Sequence, residues 1–366
     1  MKDISFATFA AALMVSLIAP SALANNPPSD SQSETTDTPP AESADESRVP
    51  ETDEATEPNT DEATGPNTDE ERDPDGVEAQ YEIPKHRIKY SSLTVLRYNP
   101  LGLQSLFDLQ YQYKLYDSDS ILFRTGYFGI GVMPIVSPGL VRLGVKTEIE
   151  PIAVLRLGAK WEYIVHFSNF NLMQSYEDVG VADFSEAGLE AGGEAGENYA
   201  GTGWQATLEA QVRAKFGPIV VRSTFKGIYT DMNLRGNDTV WYDQYYDILT
   251  PGSAGWVLIN DADLLAFLLD DKLIVGLRHN TTHAIYPDRA YGSASTSARN
   301  TADTPIQRIG PLFAYRFFDE PGAAFNQPTL LVILNWYIHH PYRIGQETTR
   351  AVPYVVVGFA FNGDLL

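Results

Sequence analysis

Runs of alternating apolar and polar residues dominate the chain from about residue 87 onward. In the run from 103 to 116, Phe107 and Leu109 alternate with Asp108 and Gln110. A period of two is typical of a β-strand whose two faces meet different surroundings. This run covers fourteen residues, whereas strands of soluble sheets usually have about 5–6. The pattern therefore predicts unusually long strands.

Twelve such strands are predicted, an even number that returns both ends of a barrel to the same side. The predicted spans are 87–97, 103–116, 120–132, 139–149, 152–167, 203–216, 219–230, 256–268, 272–285, 305–318, 327–340 and 351–361. Short links alternate with long polar links at 168–202, 231–255 and 286–304.

Two architectures satisfy strands of this kind. A soluble sandwich hides the apolar face inside, whereas a membrane barrel turns that face to lipid and keeps polar residues in its lumen. Strand length and the alternation of short and long links favour the membrane. We predict an all-β fold, a transmembrane antiparallel up-and-down β-barrel over residues 87–366. In this architecture the chain resembles the bacterial outer-membrane β-barrel class, which implies contact with outer-membrane lipid; no motif indicates a specific family.

The first 24 residues have the pattern of a secretory signal peptide. Lys2 precedes an apolar run from Ile4 to Ile18, and the small residues from Ser21 to Ala24 form a cleavage site. The apolar run is shorter than the ~20 residues that a spanning helix needs. We expect export and cleavage after Ala24.

Residues 25–80 form an acidic segment with almost no large apolar side chains. The segment carries 18 acidic and 2 basic residues, a net charge of −16 within a total of −22, and an eight-residue unit that begins at Thr52 recurs at Thr60 and Thr68. Such a sequence cannot bury enough surface to offset its ordering entropy. We predict a disordered, extended spacer in the periplasm. Two alternatives are that its carboxylates bind Ca²⁺ or a partner, or that it folds back and occludes the lumen.

Basic residues dominate the strand face opposite the apolar one. If the apolar face contacts lipid, the predicted lumen lining includes Lys114, Arg124, Arg142, Lys146, Arg156, Lys160, Arg213, Lys215, Arg222, Lys226, Arg278, Arg308 and Arg316. Only four acids share that face, namely Asp108, Glu148, Glu162 and Glu209. Because low-dielectric walls focus the field of fixed charges, this imbalance predicts a narrow pore with a basic lumen for small anionic solutes.

The first alternative is a closed structural or adhesive barrel, in which the same side chains form a network with acids and water. Twelve strands lie between packed eight-stranded barrels and open sixteen-stranded porins, so strand number does not decide. The Gly- and Glu-rich stretch 187–197 is expected to be flexible, and one hypothesis is that it folds inward, pairs with lumen bases and narrows the pore. No helix pattern follows it, so neither nucleotide nor nucleic acid is a predicted partner.

The second alternative is a lipid hydrolase at the outer rim. His279 and Thr281 lie two residues apart on the outward face of the ninth predicted strand. This placement resembles that of outer-membrane phospholipases, which have twelve strands and carry His and Ser with this spacing. The resemblance implies acyl hydrolysis by a His-activated hydroxyl, with Asn300 as an orienting residue. Because threonine replaces the expected serine, we predict that the protein is not an enzyme.

No cofactor or metal is predicted. The chain has no cysteine, which excludes thiolate metal sites and disulfides. The histidines near predicted extracellular strand ends are His166, His279, His283, His339 and His340. Imidazole is a common metal ligand, but these residues lie on three strands that need not be neighbours. The solute and the oligomeric state stay open.

Overall fold

The alternating runs form a closed antiparallel barrel of twelve strands in the computed structural model of the protein, as predicted. The structure describes residues 82–344 and 348–365. The predicted signal peptide, 1–24, and acidic segment, 25–80, lie outside the described residues. No helix in the described part of the chain is long and apolar enough to cross a membrane.

The strands and helices are named in chain order. The strands are β1 His86–Tyr98, β2 Gly102–Lys114, β3 Tyr127–Ser137, β4 Leu140–Ile152, β5 Leu155–His166, β6 Ser175–Tyr176, β7 Gly201–Phe216, β8 Ile219–Met232, β9 Val240–Asp243, β10 Ile248–Pro251, β11 Trp256–Leu268, β12 Leu273–Ile285, β13 Ile306–Arg316, β14 Asn326–His339 and β15 Tyr354–Asp364. The helices are α1 Glu186–Glu194 and α2 Thr296–Ala302, with a 3₁₀ turn at Asp288–Ala290. β6, β9 and β10 form a separate small sheet, and the other twelve strands form the barrel.

Each barrel strand pairs with the barrel strands before and after it in sequence, and β1 pairs with β15 to close the ring. Closure leaves no unpaired edge in the barrel sheet. The links 115–126, 153–154, 217–218, 269–272 and 317–325 lie at one end, which we call the turn end. The links 99–101, 138–139, 167–200, 233–255, 286–305 and 340–353 lie at the other, which we call the loop end.

The two faces of the barrel wall have opposite character. On β2, Leu103 and Phe107 are exposed on the outside, whereas Gln104 and Asp108 are buried inside. The same alternation holds around the ring. Exposed outward side chains include Leu96, Tyr111, Ile130, Leu143, Val145, Leu157, Leu208, Val212, Val221, Leu264, Leu277, Phe313, Leu330 and Phe359.

Two strands lie several residues from their predicted positions. The strand predicted at 120–132 is β3, Tyr127–Ser137, and the last strand, predicted at 351–361, is β15, Tyr354–Asp364. Before β3, the carbonyl of Ser120 accepts the backbone N–H groups of Phe123 and Arg124. The apolar stretch 121–123 therefore forms a tight turn. Arg124 therefore lies in a turn-end link and not on a strand.

The stretch 187–197 is not the flexible segment that its glycines predict. Its first part is helix α1, which begins after Ser185, whose Oγ accepts the N–H of Gly188 at 2.9 Å. Leu189 is buried, and a Cβ at Gly192 would lie only 2.1 Å from Gln174 Oε1. The glycines permit close packing of the helix.

Candidate functional site in the barrel interior

A hairpin enters the barrel at the loop end. β9 and β10 pair along their whole length, and residues 244–247 form the tip between them. Every residue from 240 to 252 is buried. We call residues 240–251 the inner hairpin. The sequence prediction placed this segment in a polar link, although Trp241, Tyr245 and Tyr246 are signs of a buried role.

Arg142 on β4 joins the barrel wall to the inner hairpin. Its Nη2 lies 3.4 Å from Asp243 Oδ2, and neither side chain is exposed. Its guanidinium carbon lies 3.7 Å from the ring centroid of Tyr245. Its Nη1 donates to Gln205 Oε1 on β7 at 3.1 Å, and Gln205 Nε2 donates to the hydroxyl of Tyr246 at 2.9 Å. A guanidinium suits this position because its flat face stacks on a ring while its edge donates hydrogen bonds.

Asp247 at the hairpin tip faces a different set of groups. Its Oδ1 accepts from Arg343 Nη2 at 3.2 Å and from the hydroxyl of Tyr242 at 2.8 Å. Its Oδ2 accepts from the hydroxyl of Tyr337 on β14 at 3.1 Å and lies 3.4 Å from His340 Nε2. Burial alone would raise the pKa of this carboxyl, but Arg343 and His340 outweigh it and hold the pKa well below its usual range. Asp247 is therefore an anion held by the 340–353 loop.

The hairpin tip is held from several sides of the ring. Gln244 Nε2 donates to His166 Nδ1 on β5 at 2.8 Å. The carbonyl of Gln244 accepts from Arg97 Nη2 on β1 at 2.9 Å. Since β7 and β14 lie on opposite sides of the closed strand order, the inner hairpin crosses the loop end of the interior.

Outside the inner hairpin, the 167–200 segment covers it. The ring of Phe184 stacks on that of Tyr242 with centroids 5.3 Å apart and an interplanar angle of 18°. The same ring meets Tyr342 edge-on at 4.8 Å. The loop acids that are buried in the interior are Asp243 and Asp247 of the 233–255 loop. The acids of 187–197 are exposed, so this stretch does not fold inward to pair with the lumen bases.

Deeper in the interior, Glu209 on β7 is the centre of a charge network. Lys160 Nζ and Lys226 Nζ lie 3.5 and 3.7 Å from Glu209 Oε2. Arg156 Nη2 lies 4.0 Å from Glu209 Oε1. The network continues from Arg156 through Glu148, Lys146 and Asp108.

Asp263 on β11 is the centre of a second network. It accepts hydrogen bonds from Arg222 Nε and Nη2 at 3.0 and 2.7 Å, and from Arg278 Nε and Nη2 at 2.7 and 2.9 Å. Asp261, two residues away, lies 3.9 Å from Arg278. The sequence prediction omitted both acids from the lumen, although the predicted span of this strand, 256–268, matches β11.

Most predicted lining bases have a carboxylate partner. At least eleven of the thirteen form ion pairs, namely Lys114, Arg142, Lys146, Arg156, Lys160, Arg213, Lys215, Arg222, Lys226, Arg278 and Arg316. Of the other two, Arg308 lies over the ring of Tyr354 at 3.9 Å, and Arg124 lies in the link 115–126. The interior also contains more acids than predicted. Besides the predicted Asp108, Glu148, Glu162 and Glu209, five further acids lie inside, namely Glu150, Asp243, Asp247, Asp261 and Asp263.

The interior is close to charge balance. Among the described residues, eleven Lys or Arg and nine Asp or Glu side chains are buried. This count includes Asp178 of the 167–200 link and omits Glu209, which is slightly more exposed. The buried bases are also well covered, since Arg142, Lys226 and Arg278 are 0 %, 2 % and 1 % exposed. An apolar cluster fills another part of the interior and extends into the inner hairpin. It includes Leu93, Leu106, Leu312, Leu331 and Ile333 of the wall, and Ile248 and Leu249 of the hairpin. The predicted imbalance of thirteen bases against four acids is therefore mostly compensated.

The proposed hydrolase residues are not brought together. His279 and Thr281 both point outward from β12, and neither side chain forms a hydrogen bond in the described structure. Asn300 lies exposed on α2, in the 286–305 loop. The amide beside Thr281 is instead Asn260, its pairing partner on β11, which donates to Ser223 Oγ at 2.9 Å.

The histidines also do not gather. His166 contacts Gln244, His340 contacts Asp247, and His339 Nδ1 lies 3.1 Å from the carbonyl of Pro305. Within residues 82–344 and 348–365, no group of three or more His, Asp or Glu side chains is arranged to hold a metal ion.

No protein-family model matches the chain, and no curated protein matches its sequence. Comparison with solved structures finds bacterial outer-membrane β-barrels. OccAB1 from Acinetobacter baumannii shares 11% identity with a TM-score of 0.37, over 78% of this chain and 66% of that one. CdiB from Acinetobacter baumannii shares 11% with a TM-score of 0.33, over 77% and 60%. The β domain of the Bordetella autotransporter Brka shares 9% with a TM-score of 0.36, over 76% and 99%. The chain thus spans less than two thirds of the length of CdiB and OccAB1.

Proposed function

We propose that the protein is an integral β-barrel of the bacterial outer membrane that passes small, mainly anionic solutes when the inner hairpin moves aside. The observation that carries the proposal is the reversal of polarity across the barrel wall. On β4, Leu143 is 57 % exposed on the outside, whereas the adjacent Arg142 is 0 % exposed inside. In water each Å² of exposed apolar surface costs about 25 cal/mol, and lipid removes that cost.

Aromatic residues at the loop end support this placement. The ring of Tyr229 lies 5.5 Å from that of Trp204 and 5.6 Å from that of Trp256, by centroid distance. These residues lie on three consecutive barrel strands, near the loop ends of those strands. Trp and Tyr favour the boundary between lipid and water, where an apolar ring and a polar N–H or O–H are both accommodated.

The charged side of the interior is the proposed path. Its walls carry ion pairs of long Lys and Arg side chains, which would place charged groups along that path. Buried bases only slightly outnumber buried acids among the described residues, so the proposed preference for anions is modest. The inner hairpin closes this path at the loop end. Arg142 and Asp247 join it to its surroundings by polar contacts, and its apolar side chains, including Ile248 and Leu249, pack in the apolar cluster.

The test is the reversal potential of the refolded chain, residues 25–366, in planar bilayers under a salt gradient. The lining variants are Arg156→Gln, Arg213→Gln and Arg222→Gln; glutamine is chosen because each arginine adjoins a carboxylate. Each should lower anion selectivity, while Arg299→Gln on the exposed helix α2 should not. Heat-modifiable migration on a gel verifies folding of every variant. Unchanged selectivity in all three folded variants contradicts a lining role.

The acidic segment 25–80 remains a candidate plug for the turn end of the barrel. If it occupies that end, a chain that begins at residue 81 should carry more current than the chain that begins at residue 25. Equal currents would leave the segment as a spacer.

A closed structural or adhesive barrel is the second candidate, because the interior side chains are so little exposed. This candidate predicts silence in bilayers from both the intact chain and a chain without the inner hairpin.

We propose no enzymatic activity. Phospholipid hydrolysis that is lost with His279→Ala would contradict that position.

A further inference from the structure

A polar patch interrupts the apolar outer face of the barrel on four neighbouring strands. Asn260 of β11 pairs directly with Thr281 of β12, which in turn pairs with Gln307 of β13. All three side chains point outward, because the residues before and after each of them are buried inside. Asn260 Nδ2 also donates to Ser223 Oγ of β8 at 2.9 Å. The register therefore places these four side chains side by side on one surface, which we call the outer polar patch.

Two histidines of β12 extend the patch along the strand. His279 and His283 lie two residues to either side of Thr281 on the same face. In the described barrel strands, outward Asn, Gln and His side chains otherwise occur only at strand ends, at His86 and His339. Such groups are therefore concentrated on one side of the barrel, on β11, β12 and β13.

The patch lies in the part of the wall that the proposed membrane placement covers with lipid. Trp256 pairs with Ile285 at the loop end, and Thr281 lies four residues further along β12 toward the turn end. Four residues of a strand tilted by about 40° correspond to a depth of about 10 Å below that aromatic residue. The apolar band of such barrels is about 25 Å tall, so the patch lies within it.

The side chains of the patch have few partners within the protein itself. His279, Thr281 and Gln307 form no side-chain hydrogen bond in the described structure. The Nδ1 atom of His283 is covered by its neighbours and also has no partner. Hydrocarbon offers no hydrogen bonds, so a patch covered by lipid alone leaves these polar groups uncompensated. Hydrogen bonds between such side chains hold membrane segments together, so the patch is a candidate contact surface.

The chemistry of the patch fits a second copy of this chain better than a lipid head group. Lipid phosphates are bound by Lys and Arg, and the outward faces of β8, β11, β12 and β13 contain neither. Hydroxyl and amide groups both donate and accept hydrogen bonds, so the patch can pair with an identical patch. The side chains of Ser223, Ala262 and Thr281 are small, which permits two barrels to approach closely.

We infer that the protein forms a two-fold symmetric dimer in the membrane through the outer polar patch, with Thr281 near the symmetry axis. All copies insert in the same orientation, so a two-fold axis parallel to the barrel axis places β12 of one copy against β12 of the other. A stable interface covers about 800 Å² per partner, so the patch forms its centre and the exposed Phe225, Leu277 and Ile309 surround it. The inference goes beyond the proposed passage of anions and rests only on the proposed placement in the membrane.

The first test is cross-linking of the refolded chain, residues 25–366, by copper phenanthroline in phospholipid vesicles. Because the chain has no cysteine, Thr281→Cys introduces a single thiol at the proposed axis. The matched control is Thr147→Cys, at an outward threonine on β4, which lies almost opposite β12 in the closed strand order. Thr281→Cys should give a disulfide-linked dimer, whereas Thr147→Cys should stay monomeric. Little cross-linking of Thr281→Cys, or equal cross-linking of the two variants, overturns the inference.

The second test measures association without a cross-link, by energy transfer between copies labelled at the N-terminus with two dyes. The protein-to-lipid ratio of the vesicles is lowered in steps until the transfer is lost. Asn260→Leu combined with Thr281→Val removes polar groups at nearly constant size, and a symmetric contact loses each of them twice. Association should therefore weaken about tenfold.

The stability of the same double variant separates a contact role from a structural one. At ratios where the chain is monomeric, its urea midpoint should rise, because fewer uncompensated polar groups face lipid. Thr147→Val is the matched control and should leave association unchanged. Undiminished association of the double variant overturns the inference.

Insertion and association fail separately. Chains that show no heat-modifiable migration after transfer to vesicles contradict the proposed membrane placement and the dimer with it. Folded chains that stay monomeric contradict the dimer alone. A folded monomer whose urea midpoint rises when lipopolysaccharide is added assigns the patch to a lipid and also overturns the inference.

Discussion

Arg142 of the barrel wall and Asp243 of the inner hairpin form an ion pair in which neither side chain is exposed. Asp243 also accepts the backbone N–H of Tyr245 at 2.8 Å, and the ring of Tyr245 stacks against the same guanidinium. Burial raises the pKa of Asp243, while the charge of Arg142 opposes that shift. The carboxylate therefore depends on the wall for its charge, and the wall depends on the hairpin for a counterion.

This mutual dependence predicts strong coupling between the two residues. Arg142→Gln or Asp243→Asn leaves the partner's charge buried and should cost about 3–5 kcal/mol of unfolding free energy. The double variant should cost less than the sum, because no unpaired charge remains. Urea unfolding in lipid vesicles measures all three. Additive losses would show that the pair does not hold the hairpin to the wall.

The second charge network yields a prediction about both stability and selectivity. Asp263→Asn leaves Arg222 and Arg278 without their shared carboxylate, so we expect a loss of about 3–5 kcal/mol in unfolding free energy. The same change makes the interior more positive and should raise anion selectivity in a salt gradient. Asp271→Asn is the control, since Asp271 pairs with Lys215 at the turn end, where both are partly exposed. Equal effects of the two variants would contradict a special role for Asp263.

The sequence predicted the barrel well because strand period and link length are local signals. The predicted span 256–268 is the observed β11, and the three longest links fall where they were expected. β3 was misplaced because the apolar stretch 121–123 resembles a strand start, while the turn closed by the carbonyl of Ser120 decides where the strand begins.

The interior was less predictable, since it depends on which strands and loops meet in space. Asp261 and Asp263 lie on the inward parity of β11, so a stricter use of alternation would have found them. The inner hairpin is different, because its aromatic residues indicate burial but not which wall they meet.

Acid should loosen the loop that holds the hairpin tip. His340 Nδ1 accepts the backbone N–H groups of Tyr342 and Arg343, each at 3.1 Å, so protonation at that atom breaks both bonds. Burial lowers the pKa of His340, and Asp247 opposes the shift only in part. The unfolded chain takes up this proton near pH ~6.5 and the folded chain does not, so stability is lost as the pH falls below ~6.5.

The two neighbouring carboxyls either titrate in stronger acid or change the stability in the opposite direction. Asp247 has a depressed pKa, so its contribution is present above pH ~3.9 and is lost only in stronger acid. Asp243 has a raised pKa, so its protonation on acidification relieves part of its burial cost.

The measurement for this prediction is the unfolding midpoint at pH 7.5 and at pH 5.5. His340→Asn keeps a hydrogen-bond acceptor but does not titrate, so its midpoint should fall less than that of the intact chain. The effect is bounded by about 1.4 kcal/mol per pH unit for one proton. His86→Asn, at an exposed histidine on the turn end of β1, should behave as the intact chain does. The same pH dependence in all three chains would exclude His340 as the cause.

The outward face predicts a depth-dependent cost of charge. Val145 lies near the middle of β4 and is 53 % exposed, whereas Phe216 ends β7 at the turn end and is 69 % exposed. Val145→Arg should cost about 2–4 kcal/mol in lipid vesicles, and Phe216→Arg about 0–1 for the charge itself. Unfolding by urea in vesicles compares the two. A cost for Val145→Arg no greater than that for Phe216→Arg would contradict a lipid-covered belt.

The most direct measurement is the single-channel current of the barrel with and without the inner hairpin. Residues 240–251 are replaced by a short Gly-Ser linker, and heat-modifiable migration verifies that the barrel has formed. Passage controlled by the hairpin predicts rare, brief currents from the intact chain and a steady, anion-selective current from the variant. Silence from both folded chains would contradict passage and would leave a closed structural barrel.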